Sequence, residues 1–234
     1  MSVGYVLAPP TTPKALARIA GCLYLTVAML TIFAGVVNTS TVVSGDAAAT
    51  TANLGGSATL FRIGFVSELL GATAFLATGM TLYVLLRHVS RLAAAAMVTI
   101  VAVSVAIQSL SLLNQKAALM IVTGHYAFSP RVSDQLTLLF ADLQREGYLI
   151  AQTYFGLWLL PLGYLVMKSG YFPKGLGVLL MVGCFGHLTD VVTRSLAPSL
   201  GETTSLLALG IAAVAELSFI GWLLVKGVRE PRPE

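Results

Sequence analysis

Gly175-Leu-Gly-Val-Leu-Leu-Met-Val-Gly-Cys-Phe-Gly-His-Leu-Thr-Asp-Val-Val-Thr-Arg194 is an apolar run of about twenty residues, the length a helix needs to cross a bilayer. Its second half carries His187, Asp190 and Arg194 at spacings of i, i+3 and i+7. Side chains on a helix recur about every 3.6 residues, so these three share one face. Charge facing hydrocarbon is costly, and such residues turn toward a bundle interior or a wet cavity. This stretch alone therefore implies a membrane span with a polar face turned to its neighbours.

The rest of the chain agrees with that reading. Of 234 residues, 56% are hydrophobic and only 10% are charged, against about 25% charged in an ordinary soluble domain. The mean hydropathy is +0.85. The net charge of +4 comes from basic residues placed singly at the ends of apolar runs rather than gathered on one polar surface. That pattern excludes nucleic acid as the expected partner and leaves the lipid bilayer. Cys22 and Cys184 both lie inside apolar runs, without metal-ligand or redox spacing, and read as small packed residues. Lys14 and Arg18 precede a run from Ile19 to Val37. It exceeds the roughly 7–15 apolar residues of a signal peptide, so an uncleaved first span is expected.

Read in order, the chain predicts a tail over 1–13, a six-helix transmembrane domain over 14–229 and a second tail over 230–234. The spans are expected at about 16–38, 62–86, 92–115, 148–167, 174–195 and 203–225. Residues 39–60, rich in Ser, Thr, Ala and Gly, read as a loop. Gly64, Glu68, Gly71 and Gly79 fall in one stripe of the second span, which lets neighbouring helices approach closely. Ser104, Gln108, Ser111 and Gln115 draw a polar line down the third. Pro161 predicts a kink in the fourth.

Between the third and fourth spans, Val132, Leu136, Leu139, Phe140 and Leu143 form an apolar stripe opposite Asp134, Asp142, Gln144 and Arg145. This pattern predicts an amphipathic helix lying at the membrane interface. The expected fold class is all-α, a polytopic membrane protein of six transmembrane helices plus that interfacial helix. Lys14, Arg18, Arg87, Arg91, Lys168, Lys174 and Lys226 all fall on the side shared by both termini. The positive-inside rule then gives a multi-pass protein of the cytoplasmic (inner) membrane with both termini cytoplasmic.

In that topology the ionisable and amide residues gather in the outer half. Glu68 lies about 9 Å from the outer end of its helix at 1.5 Å rise per residue. Gln152 is expected at a similar level or shallower, Gln108, Asp190 and Arg194 in the outer half, and His187 and Glu216 near the middle. They come from five helices, and the coincidence predicts an outward-facing polar pocket with candidate ligand-binding residues Glu68, Gln108, Gln152, His187, Asp190, Arg194 and Glu216. Each also has a structural reading. Asp190 and Arg194 stand at i, i+4 in the order that favours a helical ion pair, and a buried Glu can simply lock two helices together. His187 and Asp190 could share a metal, but with no HExxH and no Cys cluster no metal or cofactor is expected.

Six segments carry a wider likeness: Ala17-Arg-Ile-Ala-Gly21, Glu68-Leu-Leu70, Phe155-Gly-Leu-Trp-Leu-Leu-Pro-Leu-Gly163, Ser169-Gly-Tyr-Phe-Pro173, Ala215-Glu-Leu217 and Trp222-Leu-Leu-Val-Lys-Gly227. In this order they resemble the bacterial membrane family named domain of unknown function 4386, over nearly the whole chain. The resemblance implies one six-helix membrane domain and matches Arg18, Glu68, Asp190, Glu216 and Lys226 to the family's pattern. At the place of His187 the family often has an aromatic residue.

Three functions fit these residues. The first is a binder or carrier of a small amphiphile or ion, with proton exchange at Glu68 or Glu216 coupled to binding. The second is an intramembrane lipid hydrolase with a buried carboxylate as general base, although no nucleophile motif accompanies it. The third is a sensor or accessory subunit with a purely structural polar core. The sequence names no catalytic residue.

Overall fold

Backbone N–H and C=O groups find no water in a bilayer, so each apolar run must satisfy them internally as a helix. The computed structural model describes residues 12–229. Among them the chain forms eight helices: α1 (Pro13–Thr41), α2 (Ala47–Gly56), α3 (Ala58–Leu86), α4 (Arg91–Val122), α5 (Pro130–Leu157), α6 (Leu159–Lys168), α7 (Lys174–Leu196) and α8 (Pro198–Val225). Six spans are long and apolar enough to cross a membrane: α1, α3, α4, α5 with α6, α7 and α8. Residues 1–11 and 230–234 of the expected tails lie outside the described residues, and Thr12 already caps α1, its hydroxyl accepting from Ala15 N.

The spans close into a ring in chain order. α1 packs on α3, α3 on α4, α4 on α5, α5 on α7, α7 on α8, and α8 returns to α1. Where two helices cross closely, glycine faces the contact. A Cβ at Gly64 would stand 3.0 Å from Val37 of α1, and one at Gly163 would stand 2.6 Å from the Gly177 carbonyl of α7. Met29, Ile32 and Val36 on α1 and Leu206, Leu207 and Val214 on α8 point outward as a lipid-facing coat.

Inside the ring, the half nearer the basic loops is filled with packed side chains. Trp158, only 1% exposed, meets Tyr24 and Phe75 edge to face at 5.5 and 5.0 Å. Below it Leu82, Leu86, Met97, Leu162, Leu165, Leu180 and Leu223 complete one core. The turn between α6 and α7 at this end depends on Gly170, whose φ of 73° lies in the left-handed region.

Three expectations change. Residues 39–60 are not one loop, because Asp46 accepts from Ala49 N and starts α2, which seats Thr50 and Leu54 in the interior. The amphipathic stretch is helical, with Pro130 in its first turn, but it is not a separate interfacial helix. It is the first half of α5 and runs without a break into the fourth span. Gly147, which resembles a boundary, is instead a point of contact: a Cβ there would overlap Ser111 of α4. The fourth span is interrupted only at Trp158, three residues before Pro161, whose ring removes a donor and crowds the preceding turn. Cys184 is buried, whereas Cys22 is exposed rather than packed.

Candidate functional site

The half of the ring away from the basic loops holds a cavity of about 430 Å³. α1 contributes Ala34, Gly35, Asn38 and Thr39, α3 contributes Glu68, α5 contributes Ala141, Gln144, Arg145 and Tyr148, and α7 contributes Arg194; Val42 and Ser44 join from the segment after α1. Glu68 is 3% exposed, and its carboxylate accepts from Gln144 Nε2 at 3.3 Å. Gln108 and Asn38 turn further donors toward it, and Asn38 Oδ1 in turn accepts from Gln115 Nε2 at 3.3 Å. Arg145 is engaged by Ser44 at 3.1 Å, Asp142 at 3.1 Å and Glu146 at 3.9 Å.

Beneath Arg194 lies a saturated polar knot. Asp190 is fully buried and accepts from Gln152 Nε2 at 2.7 Å, from Arg194 Nε at 3.1 Å and from the Ser205 hydroxyl. Arg194 Nε also donates to Ser205 Oγ at 2.9 Å, while its side chain stays 42% exposed at the cavity wall. Satisfying a buried carboxylate with several donors is what makes its burial tolerable. The knot ties α5, α7 and α8 together at one level.

Deeper still, His187 Nε2 and Glu216 Oε1 lie 2.9 Å apart, and the Tyr24 hydroxyl donates to the other oxygen of Glu216. His187 Nδ1 is buried without a partner among the described residues. At 1.5 Å per residue from the basic end, Tyr24 and Glu216 stand at about 15 Å, His187 at about 20 Å, Asp190 and Gln152 at about 24 Å, and Glu68, Tyr148 and Arg194 at about 28 to 30 Å. The polar groups therefore descend from the cavity to mid-depth and stop at the Trp158 layer. Tyr148, in the cavity wall with Glu68, lies within electrostatic range of both Glu68 and Glu216.

A family model described as "Domain of unknown function (DUF4386)" matches residues 19–227, from the first span through the last. The chain belongs to this family. An uncharacterized protein of Archaeoglobus fulgidus is 37% identical over 76 residues, which cover 32% of this chain and 42% of that relative. No solved structure matches the chain. Membership in DUF4386 brings no named activity.

Of the seven residues singled out in the sequence of this DUF4386 chain, only Glu68 and Arg194 line the cavity itself. Gln108 stands behind Glu68, and Gln152 and Asp190 stand behind Arg194. His187 and Glu216 meet each other below the cavity. Sequence reasoning missed Tyr24, Asn38, Tyr148 and Ser205. It placed Gln144 and Arg145 on a separate interfacial helix, whereas the continuity of α5 brings both to the cavity. A lone Tyr24 within an apolar run was the available signal for the lower group. Among the described residues no three His, Cys, Asp or Glu side chains gather as a metal-binding group.

Proposed function

We propose that this membrane protein binds or carries a small amphiphile or ion, received from the outer face of the cytoplasmic membrane in the cavity between α1, α3, α5 and α7. The observation that carries this reading is the pairing of a polar hollow with a sealed floor. A cavity of about 430 Å³ has Glu68 and Arg194 in its walls, and the space below it is closed by Trp158, Tyr24, Phe75 and the leucines beneath. Ligand pockets typically combine an apolar wall with a few convergent polar groups. The basic loops at the opposite end support an orientation with both termini in the cytoplasm and the cavity facing out.

The test is native mass spectrometry of the detergent-purified protein beside Gly35→Trp. Gly35 lines the cavity, and a Cβ there would meet nothing within 4 Å, so the larger side chain enters the hollow without disturbing a helix contact. The wild-type protein is expected to retain an amphiphile that Gly35→Trp has lost. Identical spectra, with or without bound mass, would overturn the proposal.

A further inference from the structure

Glu68 and Arg194, an acidic and a basic side chain, face one cavity and do not pair with each other. Each is fixed on its own wall. Glu68 has amide partners, and among the described residues no cation pairs with it. Arg194 is pinned through Nε by Asp190 and Ser205, and among the described residues no hydrogen bond takes up its two terminal amino groups. Arg145 also reaches the lining, but its nitrogens are already directed to Ser44, Asp142 and Glu146. A ligand with a single charge of either sign would match one wall and set like charge against the other, or leave it unmatched.

Resting on the reading that the cavity receives an amphiphile, we infer that the ligand carries a zwitterionic head, with a primary ammonium at Glu68 and a phosphate or carboxylate at Arg194. A guanidinium held at Nε still offers its outer amino groups, and such a fork matches paired phosphate or carboxylate oxygens. Tyr148 borders the same cavity within electrostatic range of Glu68, so an ammonium there has an aromatic ring as well as a carboxylate. Height agrees with a membrane source. Glu68, Tyr148 and Arg194 stand about 28 to 30 Å from the basic end, at the far edge of a hydrocarbon core about 30 Å thick, where head groups lie. Gly35 and Thr39 line the cavity and are exposed on α1, so the mouth reaches the flank of the bundle at that height. Ala34, Val42 and Ala141 supply an apolar wall for the first carbons of a chain.

The experiment titrates the purified protein with four probes, read by native mass spectrometry: phosphatidylethanolamine, its N-acetylated form, phosphatidylglycerol and water-soluble phosphoethanolamine. The N-acetylated lipid keeps the phosphate and loses the ammonium. Phosphatidylethanolamine is expected to bind about tenfold tighter than either lipid that lacks the ammonium, the size of one charge-assisted hydrogen bond. Glu68→Gln should abolish that preference by weakening phosphatidylethanolamine alone, and Arg194→Gln should weaken all three lipids. Competition by phosphoethanolamine at equal free concentration would identify a soluble dipolar solute as the source, and failure to compete would identify the lipid; either result keeps the zwitterion. Equal affinity for phosphatidylethanolamine and its N-acetylated form in the wild-type protein overturns the zwitterion and leaves the cavity standing. If no probe's binding responds to Gly35→Trp, the cavity reading fails instead. The wild-type comparison needs no variant to fold.

Discussion

Asp190 shows why a residue can be conspicuous in sequence and still act mainly through others. Its carboxylate gathers Gln152, Arg194 and Ser205, so Asp190→Ala strands the buried Gln152 amide and leaves Arg194 held by Ser205 alone. The expected cost is about 3 kcal/mol, as for removing one partner of a buried charged network. It would be read as a lowered unfolding temperature in detergent, together with weaker lipid binding from a loosened Arg194. His187 presents the opposite case. Its Nδ1 is buried without a partner among the described residues, and Glu216 keeps the Tyr24 hydroxyl if the imidazole is lost. His187→Phe is therefore expected to change stability by no more than about 1 kcal/mol, since losing one hydrogen bond is offset by removing an unsatisfied nitrogen. A collapse of the purified variant to aggregates would show that the His187–Glu216 contact carries more than this. At this scale, spacing on α7 was enough to predict that His187, Asp190 and Arg194 share a face. It could not predict that Tyr24 and Ser205 would answer them, because a tyrosine or serine in an apolar run carries no sign of which helix it faces.

Among the elements, the apolar spans were legible because a bilayer sets one length and forbids open backbone, which leaves the sequence few alternatives. α2 was not legible. Its Ala-Ala-Ala-Thr-Thr-Ala-Asn-Leu-Gly-Gly run, residues 47–56, has no apolar stripe, and only Asp46 marked its start. The continuity of α5 was hidden by Gln144-Arg-Glu-Gly147, which has the polarity and the glycine of a helix end. Glycine there serves close approach to Ser111 instead, and the same physics governs the crossing of α6 and α7. A Cβ at Gly163 would press on the Gly177 carbonyl, a backbone atom that cannot swing aside. Gly163→Ala should therefore cost about 1 to 3 kcal/mol by overpacking. Gly221→Ala, on an exposed face of α8 with nothing within 4 Å of a new Cβ, should be neutral or stabilising by up to about 1 kcal/mol through helix propensity. Thermal unfolding of the two variants side by side checks the pair, and a larger loss in Gly221→Ala would contradict the packing account.

For the whole molecule, the contrast between a basic, packed end and a hollow, polar end gives a testable orientation. In a background lacking Cys22 and Cys184, Ser44→Cys is exposed beside the cavity and Lys168→Cys is exposed at the basic end. An impermeant thiol reagent applied to intact cells should label Ser44→Cys and reach Lys168→Cys only after lysis; the reverse pattern would turn the cavity to the cytoplasm. The ring also has a bearing on how the protein is made. α1 and α8 close it through Gly21 against Leu223 and through Tyr24 against Glu216, so α1 waits for α8. Asp190 likewise waits for Ser205. A nascent chain stalled after α7 holds Tyr24, His187 and Asp190 in the bilayer with their α8 partners still unsynthesised. Closure of the ring thus waits on α8, and any chaperone that shields half-built membrane proteins would find its target in that interval.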